Sequence, residues 1–415
     1  MNIFNPRLHY ARFLARKGEL AKALFWSDCH DVPILFTAGM FMQVLNYADK
    51  LSPYRIAPLL QLGEYDEILS AWKHYPQIMK KAHCWGKLAF VMPEKILEAP
   101  SVPDDVRSYC FVESGRLDEA ERLEPSPFIR WKIAMRRKDY DTATNFLRGI
   151  FRQNSLEVPA LYFSGKRLLF PKNELPAEGK SGPLISVIMT CYNEEEHIET
   201  AIHSILAQRY TPVELIIVDD GSNDATANII QTWAESDKRI IPLFLKENRG
   251  TWNAKNYALE KASGEYVMMH DADDWSHPDK LKLMQEVFEK QPGIKCVSSR
   301  LIRISEYSGE PFSRDISGFI RWNPSSLLFR KDFIQRYGNY LNTLGADCEI
   351  AARHELVFGP KSHARLNLPL TIALMRPNSL SSRFRGINEG RRRIEAWEKW
   401  RFSHVEYVQN HHAER

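Results

Sequence analysis

Two hydrophobic periods divide the chain. From residue 8 to about 155, apolar residues recur at the three- and four-residue steps of amphipathic helices, with short polar breaks between them. Past residue 184 the pattern changes. The near-continuous apolar runs "LISVIMT", "VELIIV", "IIPLFL" and "EYVMM" give way in turn to "EEEHIETAIHSILAQRY", "DATANIIQTWAES", "GTWNAKNYALEKAS" and "HPDKLKLMQEVFEKQ", all of amphipathic helical pattern. A strand that is apolar at every position is buried on both faces, the condition of a parallel sheet covered by helices. The alternation predicts an α/β doubly wound, mostly parallel sheet, preceded by an all-α domain of helical hairpins. Between them, "PKNELPAEGKSGP" has no period and reads as a linker. The expected division is 1–165 helical, 166–183 linker, 184–380 α/β domain and 381–415 a basic amphipathic helical extension.

A short theme returns within the helical half: "KGELAKAL" from Lys17, "LGEYDEIL" from Leu62, "SGRLDEAER" from Ser114 and "RKDYDTAT" from Arg137. Each puts Gly or Lys where the chain must turn and an apolar residue two places on, as at the entry to the second helix of a hairpin. The theme resembles tetratricopeptide-type and related α-solenoid repeats, although its intervals are irregular. An accessory helical domain without a named repeat is the alternative. Its residues leave open a partner protein, a grip on an acceptor chain or a dimer contact.

Composition narrows the class. A chain of 415 residues exceeds one core, and 44% hydrophobic with 26% charged residues excludes disorder. The net charge of +4 does not select nucleic acid as a partner. Six cysteines without C-x-x-C spacing form no zinc or disulfide framework and are expected to be reduced. Charges interrupt the N-terminal segment, and no apolar stretch approaches a membrane span, so a cytoplasmic location is expected. In the tail, Ile394, Trp397 and Trp400 recur at three-residue steps among arginines. That face suits an anionic membrane surface, here the inner face, or packing against the rest of the protein.

The candidate chemistry lies at strand ends, where ligands of doubly wound sheets gather. Three ends carry polar clusters, "TCYNEEE", "DDGSND" and "HDADDW". In an extended segment Asp271 and Asp273 share a side and Asp274 faces away. Paired carboxylates repel unless a cation lies between them, and a hard divalent ion with water and phosphate oxygens suits that need. Local structure accounts for other acids. Asp219 and Asp224 fit an Asx-turn and a helix cap, and Asp274 fits a cap for a helix opening near Ser276, His277 and Pro278. His270 and His277 read as packed side chains.

Four segments together, "ISVIMTCYNEEEHIETAIHSILAQ", "VELIIVDDGSNDAT", "NRGTWNAKNYALEKASGEYVMMHDADD" and "GADCEIAAR", resemble the family 2 inverting glycosyltransferases of GT-A fold, over about residues 184 to 380. The resemblance implies that Thr190, Tyr192 and Glu194 meet the nucleoside, that Asp220 meets the base, and that Arg249 and Lys255 lie near the donor diphosphate. It implies Asp271 and Asp273 as holders of Mn2+ or Mg2+, and Asp347 as general base. The family's usual Glu before that base is Ala346 here, which leaves the missing carboxylate's task unassigned. An ordinary acid at a helix N-terminus is the bland reading of Asp347. "MRPNSLSSR" resembles the family's closing loop, with Arg376 and Ser379 approaching the diphosphate, and Trp322, Ser325 and Ser326 fall on the acceptor side.

The function so implied is metal-dependent, inverting transfer of a hexosyl or N-acetylhexosaminyl group from a nucleotide sugar, with UDP expected. The acceptor would be a growing or lipid-linked glycan in bacterial surface polysaccharide synthesis. A nucleotidyltransferase would carry a glycine-rich basic loop after the first strand, which is missing here. A solenoid scaffold with an inactive transferase domain has no use for the clustered charge of Asp271, Asp273 and Asp347.

Overall fold

The computed structural model describes residues 6–48, 52–65, 67–68, 70, 85–99, 102–170, 179–313, 318–376 and 387–412. In the helical half the repeated theme marks the turns. Gly18 separates helices Pro6–Arg16 and Leu20–Trp26, and Gly63 ends Ile56–Leu62. Gly115 separates Asp104–Glu113 from Leu117–Glu121, and Lys138 separates Pro127–Arg136 from Tyr140–Gln153. All four are left-handed, with φ of 82°, 76°, 76° and 60°. The chain reverses there because a left-handed residue ends the helix, at a cost of about 1 kcal/mol for Lys138. Asp139 then caps the next helix, accepting from the Thr142 amide at 3.1 Å.

Strands β1 (Tyr162–Ser164) and β2 (Arg167–Leu169) form an antiparallel hairpin. Residues 166–170, read above as linker, thus belong to an ordered element, because Leu161, Phe163 and Leu168 have a core to enter. They are buried with Trp131 and Phe151 of the helices and with Trp275, Ile302 and Ile372 of the sheet. The linker residues 171–178 lie outside the described residues.

The main sheet comprises β3 (Ile185–Cys191), β4 (Val213–Asp219), β5 (Ile240–Phe244), β6 (Tyr266–Asp271), β7 (Trp275–Ser276), β8 (Cys296–Ser305), β9 (Ile320–Trp322), β10 (Leu328–Arg330) and β11 (His363–Met375). Its order is β5-β4-β3-β6-β10-β8-β11-β7, with β9 beside β8. The four predicted strands β3 to β6 are mutually parallel. Ile185, Val187 and Met189 of β3 face helices Ile198–Leu206 and Lys280–Lys290, whereas Ile188 faces Thr251–Lys261 and Ala346–Phe358. Two apolar layers therefore demand the unbroken apolar runs. Strand β10 enters antiparallel between β6 and β8, so the sheet is mixed.

The two halves share a charged contact as well as a core. Glu310, in the excursion between β8 and β9, accepts from Lys132 Nζ at 2.8 Å and from Arg136 Nε at 3.0 Å. Glu113 takes the same two cations at 2.8 and 2.9 Å, and Phe128 stacks on Phe319 with ring centroids 4.6 Å apart. Glu310→Gln leaves two largely buried cations short of one carboxylate and is expected to cost on the order of 3 kcal/mol. A lowered melting temperature checks this, and an unchanged one would mean that water already screens the four charges.

Helix Ile387–His412 packs between the helical half and Ala346–Phe358, with Ile394 and Trp400 buried. The face that the sequence offered to a membrane is covered by protein. Among the described residues no helix is long and apolar enough to cross a membrane.

Candidate functional site

Register brings the strand-end clusters together. Thr190 at the end of β3 is level with Val218 of β4 and with Asp271 of β6, and Cys191 is level with Asp219. The chain leaves β3 toward β4 and β5 and returns on the other side as β6. A crevice opens at such a reversal, between the carboxyl ends of β3 and β6.

Several acids there serve the loops. Asp219 forms the expected Asx-turn, accepting from the Ser222 amide at 3.1 Å and from its hydroxyl. Asp224 accepts from the amides of Thr226 at 3.0 Å and Glu195 at 3.2 Å. Asp220, also buried, accepts from the amides of Arg249 and Gly250, both at 2.8 Å. It thereby fixes the loop from which helix Thr251–Lys261 springs. The Arg249 side chain is exposed at the rim, 3.9 Å from Glu247.

One turn into that helix, Lys255 is buried against the Trp252 ring at 4.9 Å and donates to Asp271 Oδ1 at 3.1 Å. Burial works against the Asp271 charge, but Lys255 and a hydrogen bond from Ser325 hold its carboxyl below the usual range. Thr251, at the start of the helix, shares a 3.1 Å hydroxyl contact with Thr190.

Asp273 receives Arg376 through Nε at 3.0 Å and Nη2 at 2.9 Å. The same guanidinium donates to both Glu194 oxygens, at 2.8 and 2.6 Å. Burial, opposed by Arg376 and aided by the charges of Asp271 and Glu194, raises Asp273 to about 6. Glu194, Asp271 and Asp273 therefore share one cleft with Lys255 and Arg376. Their donors are hard carboxylate oxygens, which fit Mg2+ or Mn2+.

Asp274 does not cap a helix. Trp275 and Ser276 pair with Ile372 and Thr371 of β11 as a short strand, and the helix starts only at Lys280 after Asp279. Asp274 is instead buried, and burial with its neighbours Asp273 and Asp271 pushes its carboxyl well up. Lys280, lowered to about 8 by burial, donates to Ser276 Oγ and Thr371 Oγ1, each at 3.0 Å. His270 and His277 are packed, as expected, beside Ser204 and Ser276 and against the Glu157 carbonyl respectively.

Asp347 lies in the first turn of Ala346–Phe358, where it accepts from the Cys348 amide at 2.9 Å. Burial raises its carboxyl, tempered by that amide and by Lys255 and augmented by Asp271. It is therefore within electrostatic reach of the Lys255–Asp271 pair. Its placement in the first turn is that of an ordinary acid at a helix N-terminus.

Thr190, Lys255, Asp271 and Ser325 thus gather with Glu194, Asp273 and Arg376, while Tyr192 and Arg249 stand exposed at the rim. Ser379 lies outside the described residues. Of the residues expected on the acceptor side, Trp322 donates to Ser298 Oγ at 2.9 Å and lies under Arg365, and Ser326 is buried. Sequence reasoning missed His197, which meets Glu306 at 2.6 Å and flanks Glu194 at 3.6 Å. It also missed Tyr340, which stacks on Trp252. Glu306 comes from the end of an unpredicted strand, so no local pattern announced the pair.

A sheet reversal lined by carboxylates and cations, with a mixed extension and a helix-borne acid across the crevice, defines a GT-A transferase fold. Residues 186–353, within the α/β half, match the model of glycosyl transferase family 2. A Bacillus subtilis protein named as a teichuronic acid biosynthesis glycosyltransferase, TuaG, is 45% identical over 104 residues, 25% of this chain and 41% of that one. An uncharacterized glycosyltransferase of Haemophilus influenzae is 33% identical over 181 residues, 42% and 55% of the two chains. Poly-beta-1,6-N-acetyl-D-glucosamine synthase of Staphylococcus aureus is 40% identical over 114 residues, 28% and 27%. The matches therefore span between about a quarter and a little over half of these relatives. Among solved structures, Mycobacterium tuberculosis glucosyl-3-phosphoglycerate synthase aligns with 19% identity and a TM-score of 0.38, over 53% of this chain and 80% of that one.

Proposed function

We propose that this chain transfers a sugar, with inversion, from a nucleotide donor to a growing glycan of a bacterial surface polysaccharide. The observation that carries the proposal is Asp347, an acid in the first turn of a helix, raised by burial and within electrostatic reach of the Lys255–Asp271 pair, apart from the Arg376–Asp273 pair. Transfer needs two charges managed at opposite ends of the sugar. The acceptor hydroxyl must lose a proton as it attacks, and the leaving diphosphate must have its negative charge offset.

In this reading Asp347 takes the hydroxyl proton. Lys255 and Arg376 lie toward the diphosphate, and Thr190, Tyr192 and Glu194 toward the nucleoside, with Asp220 keeping the Arg249 loop in place. Asp271 and Asp273 would hold Mn2+ or Mg2+, which when bound supplies positive charge beside the leaving oxygens. A UDP-sugar donor and a cytoplasmic setting complete the proposal. Support for the surface-glycan acceptor comes from the names of the teichuronic acid and poly-N-acetylglucosamine relatives.

A single displacement by one base inverts the anomeric centre. Product made from an α-linked UDP-sugar is expected to be β-linked by the anomeric proton coupling in NMR. An α-linked product would overturn the single-displacement reading.

A further inference from the structure

Helix Ile387–His412 supplies none of the residues given a role above, although its Arg393 favours the Asp347 charge, and it joins the helical half to the helix that carries Asp347. Its Trp397 stands between two turns that require glycine. On one side is Gly39 of the helical half, at φ +74°, where an added Cβ would lie 2.8 Å from the indole Nε1. On the other is Gly345, at φ +75°, where a Cβ would lie 3.7 Å from Cε3 of the same ring. The Gly345 carbonyl opens the catalytic helix, accepting from the amides of Cys348 and Glu349, both at 2.9 Å.

The indole is itself held. Its N–H donates to the Ala38 carbonyl at 3.1 Å, and Arg401, one turn on, donates to that carbonyl at 3.2 Å. A second tie lies one turn along the catalytic helix, where the Glu349 side chain, 1% exposed, meets His404 Nε2 at 2.9 Å. The joining helix is anchored away from the site as well. Glu398 accepts from the amides of Met42 and Gln43 at 2.7 and 3.2 Å. Gly390 lies so close to the helical half that a Cβ there would be 2.0 Å from the Gln61 carbonyl oxygen.

We infer that Trp397 is a positioning residue for transfer: backed by the helical half at Ala38 and Gly39, it fixes the Gly345 turn and so the place of Asp347. The inference rests on the reading of Asp347 as base. A helix's first turn has amides without intrahelical partners and frays unless something holds it. A base must also meet the acceptor hydroxyl within hydrogen-bond reach, so small displacements have large kinetic effects. The helical half then acts as an abutment for the catalytic helix, a role that requires no partner protein.

The test uses the full chain as wild type, Trp397→Ala, Trp397→Phe and Asp347→Asn. Two quantities are measured: amide hydrogen exchange over the first turn of Ala346–Phe358, and release of UDP from UDP-N-acetylglucosamine with manganese and water as acceptor. Trp397→Ala is expected to speed exchange of the Cys348 and Glu349 amides about tenfold and to lower kcat about a hundredfold, with donor KM within about twofold. Trp397→Phe keeps the ring and should retain most of both properties, which separates a local effect from failure to fold. Wild-type exchange and kcat in Trp397→Ala would overturn the inference, as would equal losses of kcat and donor affinity in both Trp397 variants. The exchange result judges the support of the turn, whereas full activity in Asp347→Asn would instead remove the base reading on which it rests.

Discussion

Asp347→Asn is expected to slow transfer severely while the protein still binds its donor. A general base contributes about 10²–10⁴-fold, so kcat is expected to fall by that factor with little change in donor affinity. The amide is nearly isosteric and still offers an oxygen to the Cys348 amide, so the first turn should persist. The pH dependence has a definite sign. Burial raises the Asp347 carboxyl above its ordinary value, and only the ionised form accepts a proton. The rate of the wild type should therefore fall as pH drops through that raised pKa, giving an acid limb above the usual aspartate range. Steady-state kcat against pH checks it, and Asp347→Asn should lack that limb. A full rate in the variant would mean that the acid is only a favourable charge at a helix N-terminus.

The second large effect belongs to Asp273. Asp273→Asn replaces an anionic oxygen donor by a weaker, neutral amide oxygen and removes the charge of the Arg376 ion pair, while Asp271 keeps Lys255. Residues that merely orient metal ligands are worth about 10–100-fold in metal affinity, so loss of a ligand should cost at least about a hundredfold. The free Mn2+ signal in electron paramagnetic resonance, titrated with protein in the presence of UDP, measures this. Binding as tight as in the wild type would reassign Asp273 to holding Arg376 and Glu194 alone.

Much of this was legible in the sequence, for physical reasons that differ from residue to residue. Parallel strands buried on both faces must be apolar throughout, so β3 to β6 announced themselves. Left-handed turns demand particular residues, so Gly18, Gly63, Gly115 and Lys138 marked the helical hairpins. Strands β8 and β11 were harder to read. "CVSSRLIRIS" is polar at several buried or half-buried positions, and "HARLNLPLTIALM" mixes buried and exposed ones, because their neighbours cover them unevenly. Asp274 was misread because a Pro near a run of helix formers imitates a helix start, whereas pairing with β11 holds Trp275 and Ser276 extended. Within the site, residues at strand ends could be found from local pattern. Contacts made over long separations could not, such as Arg376 on Glu194, Glu306 on His197 or Trp397 behind Gly345, because nothing adjacent in the chain encodes them.

In the proposed mechanism two tasks fall in two places: a cation-dependent donor site at Asp271 and Asp273, and a base at Asp347 that binding does not need. Calorimetric titration of UDP into wild type, Asp273→Asn and Asp347→Asn, with and without manganese, tests that division most directly. Manganese-dependent binding in wild type and Asp347→Asn, with none in Asp273→Asn, is the expected result. Binding of UDP that ignores manganese, or that is lost equally in both variants, would contradict it.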